Sequence, residues 1–271
     1  MRMQQMQGIH KHNRRRQLVM DSNRIYVVPD IHGRQFWHDV EKLEDYDLIV
    51  FLGDYVDPYP DEGISPEEGL RCLKEVLEFA KTHENVVLLM GNHDATYMLD
   101  TYVCECRTDY DNFPEIRKLF RDNKEMFKLA YCIDTNEGQV LFTHAGVLPD
   151  WLDEFDNEEY DTPVSLADML NAKLYELVDG FVKGDKNIID NLFLRKLSVV
   201  SSYRGGWRRA GSCIWSDIRE HFEEEKYGEA FQVVGHTQLK EGAIIRLENI
   251  ACIDSHKVWR LSDILFADSI K

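Results

Sequence analysis

An α/β fold is what this sequence predicts, on two observations. Five short apolar, β-rich runs each end in a turn, and amphipathic stretches at helical spacing lie between several of them. Each run also delivers histidine, aspartate or asparagine into the turn at its C-terminal end, the edge at which open α/β sheets place their chemistry. The chain has 271 residues and the runs span most of it, so one domain is expected over residues 21–271, behind a flexible, solvated tail over 1–20.

In order, Arg24 to Val28 stops at Pro29 and presents Asp30 and His32. Leu48 to Leu52 stops at Gly53 and presents Asp54 and Asp57. Ser65 is a good N-cap before Pro66, and Leu70, Leu73, Val76, Leu77 and Ala80 follow on one helical face that should cover a sheet. Val86 to Met90 stops at Gly91 and presents Asn92, His93 and Asp94. A second helix is expected over Pro114 to Leu129, then a run from Val140 that presents His144. Asp150 to Asp161 is acidic and reads as an irregular surface loop, and Ser165 to Val178 as a third helix. Phe231 to Val234 stops at Gly235 and presents His236. Ala243–Arg246 and Ile250–Ile253 follow as a hairpin, with Val258–Leu261 as a third strand.

A single strand-end histidine or aspartate caps a turn more often than it binds a metal. Five such stretches at one strand edge reverse that balance and point to a centre of two divalent ions. Oxygen and nitrogen ligands without thiolates suit Mn, Fe or Zn better than Ca, with Mn expected here.

Asp-x-His, Gly-Asp-x-x-Asp, Gly-Asn-His-Asp, His-Ala-Gly and Gly-His-Thr, in this order, resemble the calcineurin-like metallophosphoesterases over Asp30 to about Ile253. Gly53-Asp54-Tyr55-Val56-Asp57 and Gly235-His236-Thr237-Gln238 look most like the phosphoprotein phosphatase branch of Ser/Thr phosphatases and its bacterial relatives. The resemblance implies a four-layer αββα sandwich, two mixed β-sheets face to face with helices outside. It implies Asp30, His32 and Asp54 on one ion, Asp54 as the bridge, and Asn92, His144 and His236 completing the other. His93 would be the general acid and Asp57 the carboxylate that orients it. Asp94 would be a turn cap or a carboxylate supporting the ligands.

The implied reaction explains the residue types. Uncatalysed phosphate monoester hydrolysis is among the slowest reactions known, so large barrier lowering is needed. Two ions roughly 3.5–4 Å apart activate water and neutralise phosphoryl charge. The leaving oxygen still needs a proton, which an imidazolium supplies.

Departures from the branch bear on substrate. Pro58 stands where an arginine would grip the substrate phosphate, and His256, after Ile253-Asp254-Ser255, stands where a glycine is expected. The stretch Tyr203 to Gly211 carries Arg208 and Arg209 among glycines and aromatics, and Arg219 follows Trp215-Ser216-Asp217; these three are the candidate phosphate cations. The expected substrate is a phosphorylated protein or small phosphoester. A symmetrical dinucleoside tetraphosphate is the alternative, and a non-catalytic metal-binding partner module the alternative of another class.

A net charge of −17 argues against a nucleic-acid backbone as partner. No apolar run approaches the ~18–20 residues that cross a bilayer, and Met1 to Met20 lacks the apolar core of a signal peptide. Met20 is itself a candidate start. The six cysteines read as reduced and structural in a cytoplasmic protein, Cys104-Glu105-Cys106 being too tight for a zinc knuckle.

Overall fold

The computed structural model describes residues 18–100, 106–153, 155, 160–223 and 228–269. Chain order is β1 (Ile25–Val28), β2 (Leu48–Phe51), α1 (Pro66–Thr82), β3 (Val86–Leu89), α2 (Asn92–Met98), α3 (Phe113–Asp122), β4 (Phe127–Lys128), β5 (Ala130–Thr135) and β6 (Gly138–Thr143). Then come α4 (Pro149–Leu152), α5 (Pro163–Lys183), α6 (Leu192–Leu197), β7 (Phe231–Val234), β8 (Ile245–Arg246), β9 (Ile250–Cys252), β10 (Trp259–Arg260) and α7 (Leu261–Leu265). The strands form two mixed five-stranded sheets, ordered β10-β1-β2-β3-β4 and β5-β6-β7-β9-β8. β1 to β4 run parallel, as do β6, β7 and β9, while β10, β5 and β8 pair antiparallel to their neighbours.

The apolar runs lack the in–out alternation of a half-exposed strand because both faces of these sheets are covered. Val27, Val50 and Val87 point inward to meet Val140, Phe142, Val233 and Ala251 of the other sheet. Their neighbours Val28, Phe51 and Leu88 point outward to Leu70, Leu73, Val76 and Leu77 of α1. On the second sheet Ala130, Cys132 and Leu141 join Leu166, Leu170 and Leu174 of α5 in the same outer cluster. This is the helix–sheet–sheet–helix layering expected from the resemblance.

The helices follow their caps. Ser65 accepts from Glu68 N while the Glu68 carboxylate accepts from Ser65 N, a reciprocal cap that opens α1. α5 is longer than the 165–178 expected: Thr162 caps it, Pro163 occupies its first turn, and Gly184 closes it in the left-handed conformation.

Three expectations need correction. The helix over Pro114–Leu129 ends at Asp122, because Asn123 donates both its backbone N–H and its side-chain amide to Leu119 O. The chain then takes one 3-10 turn, and Phe127–Lys128 pairs with Leu88 and Leu89 as β4. Asp150–Asp161 is not irregular throughout: Pro149–Leu152 is a helical turn, Trp151 donates Nε1 to Lys196 O, and Phe155 is buried. Residues 154 and 156–159 of that stretch lie outside the described residues. Val258–Leu261 does supply a strand, but β10 leaves the hairpin of β8 and β9 and pairs with β1 in the other sheet. The chain end therefore ties the two sheets together.

Residues 1–17 and Cys104 lie outside the described residues. Met20 is paired by backbone to Asp134 and Asn136 beside the β5–β6 turn, and the described cysteines are free thiols. No described helix is long and apolar enough to cross a membrane.

Asn171 is the polar tie between α5 and β5. Its Oδ1 accepts from Leu129 N (2.8 Å) and Ala130 N (3.2 Å), and its Nδ2 donates to Ala130 O (2.9 Å). Asn171→Leu strands those buried backbone groups, so a loss of roughly 2–4 kcal/mol is expected in chemical denaturation. A change below about 0.5 kcal/mol would show that the tie carries no stability.

Candidate metal centre

Every residue nominated as a ligand leaves the C-terminal end of a parallel strand. Asp30 and His32 follow β1, Asp54 and Asp57 follow β2, and Asn92 and His93 open α2 directly after β3. His144 follows β6 and His236 follows β7. Because the sheets lie face to face, these ends converge, and all eight side chains are buried.

Backbone carbonyls fix the imidazole tautomers. His32 Nδ1 donates to Val56 O (2.9 Å) and Asp57 O (3.1 Å), which leaves the Nε2 lone pair facing Asp54 Oδ2 at 3.4 Å. His144 Nδ1 donates to Leu52 O (2.8 Å), so its Nε2 lone pair faces Asn92 Oδ1 (3.1 Å), His236 Nδ1 (3.1 Å) and Asp54 Oδ2 (3.6 Å). Anchoring one ring nitrogen on a backbone carbonyl is the usual way a metal-ligating imidazole is oriented. Acceptor thus meets acceptor around Asp54, and His236 Nε2 is buried with no hydrogen-bond partner. Such a set is unfavourable unless protons or cations stand between its members.

The carboxylates point the same way. Burial raises the Asp30 carboxyl to about 6, with the Asp54 charge adding to the rise. Burial likewise raises Asp254, at the end of β9, with Asp30 adding. Cations would relieve this crowding of buried like charges, so the residues fit a divalent centre. Two groups satisfy ligand spacing, His32–Asp54–His93 and Asp54–His144–His236, each with its ligand atoms within 4.8 Å of one another. Asp54 is common to both.

Asp94 holds Asp54 in place. Its carboxylate accepts from Gly91 N (2.9 Å), Asp54 N (2.7 Å) and Tyr55 N (3.0 Å), locking the β2 and β3 turns together. The Asp54 carbonyl in turn accepts from Ile31 N and His32 N, and Asp54 Oδ1 accepts from His93 N at 3.0 Å. Asp30 accepts from His236 N, which joins the two sheets' turns.

His93 Nδ1 donates to Asp57 Oδ2 (2.7 Å) and Arg107 O (3.1 Å), and Tyr97 and Asp109 N hold the other Asp57 oxygen. Burial opposes a charge on His93, yet the Asp54 charge and the Asp57 hydrogen bond carry its pKa well above the ordinary imidazole value. The residues named for the acid and its orienting partner are therefore in contact, and His93 also sits in ligand range of Asp54.

The candidate phosphate arginines are placed differently. Arg219 is held by Asp217 and lies over the Tyr203 ring. Arg209 is exposed, 3.6 Å from Asp150. Arg208 lines a cleft of about 500 Å³ with Arg204, Trp207 and Trp215. Three further arginines touch the site: Arg204, within the Tyr203–Gly211 stretch already singled out, donates to His236 O, while Arg34, which donates to Asp30 O, and Arg107, which donates to Asp57 O, were not nominated from the sequence. Arg34 stands two residues after His32 and was open to suspicion; Arg107 carries no local signal.

Comparison with known proteins agrees with this geometry. Residues 23–239 match the sequence model of the calcineurin-like phosphoesterase family. The chain belongs to that family. It is accordingly a metal-dependent phosphoesterase. No curated protein sequence matches the chain. A solved structure of a mutant cold-active protein tyrosine phosphatase is similar in fold, with a TM-score of 0.50, 18% identity, and coverage of 85% of this chain and 70% of that one. The cold-active protein-tyrosine phosphatase of a psychrophile, Shewanella sp., gives 0.48 at 19% identity with the same coverage.

This phosphoesterase depends on glycines for close approach. A Cβ on Gly91 would lie 2.1 Å from Asp54 Oδ1, and one on Gly235 would lie 2.0 Å from Asp30 Oδ1. Gly91→Ala must therefore push the shared carboxylate aside. The expected result is a roughly 10- to 100-fold loss of divalent-metal affinity with unchanged circular dichroism. Metal titration giving wild-type affinity would refute the close-approach argument.

Proposed function

We propose that this phosphoesterase hydrolyses phosphate monoesters at a centre of two divalent ions, Mn being the expected pair. Asp30, His32 and Asp54 would hold one ion, and Asp54, Asn92, His144 and His236 the other. The observation that carries the reading is the convergence of buried acceptors on Asp54 beside the His93–Asp57 pair, ligand set and proton donor side by side. Bound there, the ions would supply Lewis-acid neutralisation of phosphoryl charge and an acidified water.

The chain's own residues do the rest. Asp57 and Arg107 O occupy the Nδ1 proton of His93, so the proton available for transfer is the one on Nε2. As imidazolium, His93 delivers that proton to the leaving oxygen, and Asp57, fixed by Tyr97 and Asp109 N, keeps the ring aimed and charged. The buried cluster excludes bulk water, so each charge interaction acts at lower effective dielectric. A phosphorylated Ser or Thr side chain is the default substrate from the sequence motifs, and the net charge of −17 argues against a nucleic-acid backbone.

The test is hydrolysis of an aryl phosphate by metal-stripped protein with Mn restored. Asp54→Asn should lose metal binding and turnover together. His93→Asn should keep two ions per chain and lose about 10²–10⁴ in kcat. A substrate with a good leaving group needs less proton donation, so the His93→Asn deficit should shrink for a p-nitrophenyl ester relative to an alkyl ester. Absence of turnover on every monoester by Mn-loaded protein would sink the proposal and turn attention to dinucleoside polyphosphates.

A further inference from the structure

Among the described residues, Arg34, Arg107, Arg204 and Arg219 reach this site or its rim, and their charges are differently committed. Arg34 is held bidentately by Glu62, with bonds of 2.8 and 2.7 Å. Arg204 is ion-paired to Asp217 at 2.9 Å, and Arg219 is bound to the same carboxylate at 2.7 and 3.0 Å. Arg107 differs: among the described residues, no carboxylate is paired with it. Its Nη2 donates to a backbone carbonyl, Asp57 O at 3.0 Å, and its Nε is buried without an acceptor. A half-buried guanidinium so placed has a full charge and unused donors.

Its position is also specific. Pro58, the residue where a phosphate-gripping arginine is missing, directly follows Asp57, so the Arg107 guanidinium lies against the same turn. Tyr59, one residue further, carries that guanidinium over its ring, with Cζ 3.7 Å from the ring centre. The Tyr59 ring in turn meets the His32 ring edge-on at 5.0 Å. The Arg107 carbonyl braces His93 Nδ1. One residue thus reaches the acid, the acid's carboxylate turn and a ring packed on a candidate metal ligand.

We infer that Arg107, stacked on Tyr59, is the substrate-phosphate cation of this site, taking over from a distant segment the role vacated at Pro58. The inference rests on the phosphomonoester reading above. Stacking fixes the plane of the guanidinium, and its fork matches two oxygens of a phosphate dianion, which the ligand is by chemical class. Because the brace on His93 comes from the Arg107 backbone, a side-chain replacement removes the cation and leaves the brace.

The experiment compares wild type, Arg107→Gln, Arg107→Lys and Arg208→Gln, all Mn-loaded. Inorganic phosphate binding is read by calorimetry, and KM and kcat on an aryl phosphate by kinetics, with bound Mn per chain and thermal melting alongside. Loss of one charge-assisted contact predicts roughly 10- to 100-fold weaker phosphate binding and higher KM in Arg107→Gln. Arg107→Lys should recover part of it, since charge returns without the fork, and both variants should keep the wild-type Mn content and pH profile shape. Phosphate affinity within twofold of wild type in Arg107→Gln, or a larger effect from Arg208→Gln, would overturn the inference. So would loss of Mn or of the melting transition in both Arg107 variants, which would make the residue a prop for the Asp57 turn. Wild-type protein that neither binds phosphate nor turns over the ester would instead overturn the monoesterase reading.

Discussion

The structure depends on one close approach, that of the β2 turn to the β3 turn. Gly53 and Gly91 let the two backbones meet where a Cβ would lie 2.5 Å from a neighbouring nitrogen, and Asp94 spans the gap by accepting three backbone N–H groups. Everything at the site follows from this contact. It places Asp54 between the two groups of histidines, aims His93 N at the Asp54 carboxylate, and sets the Asp54 carbonyl to receive the N–H groups of Ile31 and His32. A single carboxylate thereby organises the turns after β1, β2 and β3 before the second sheet contributes anything.

The second sheet then closes the site by register. β6, β7 and β9 run parallel to one another, so His144, His236 and Asp254 emerge at one edge. Asp30 links the halves by accepting from His236 N, and His144 reaches across to Leu52 O. These crossings are hydrogen bonds of buried groups, which cost most when broken. Their chemistry makes the interface specific, while the apolar residues between the sheets supply the bulk of the burial.

What the sequence revealed follows the range of the interaction. The side chains that converge on Asp54 could be picked out because each sits within a few residues of its own strand and turn, and because β1, β2, β3, β6 and β7 are apolar runs short enough to read as strands. α1 was legible through Ser65, Pro66 and the apolar face from Leu70 to Ala80. β4 was missed because a two-residue strand has no period, and β10 was read as a strand without its partner because β1 lies far off in the sequence. The arginines were the hardest. Arg208 and Arg209 drew notice by local density, whereas Arg107 meets Asp57 through a backbone carbonyl fifty positions away, which no side-chain pattern records.

Backbone strain separates the site from the scaffold. His32, Asp54, Asp57 and His236 all adopt left-handed φ, between 45° and 62°, and His256 does so at 56°, a conformation that a glycine would adopt without strain. Each such residue costs on the order of 1 kcal/mol or more relative to an extended or helical conformation. At His32, Asp54 and His236 the cost is tied to a side chain that the cluster needs, so glycine is not an option there. Asp57 belongs with them because its turn aims the carboxylate at His93 while leaving its carbonyl to Arg107. The same turn therefore holds His93 on one side and the Arg107 guanidinium on the other, fifty positions further along the chain.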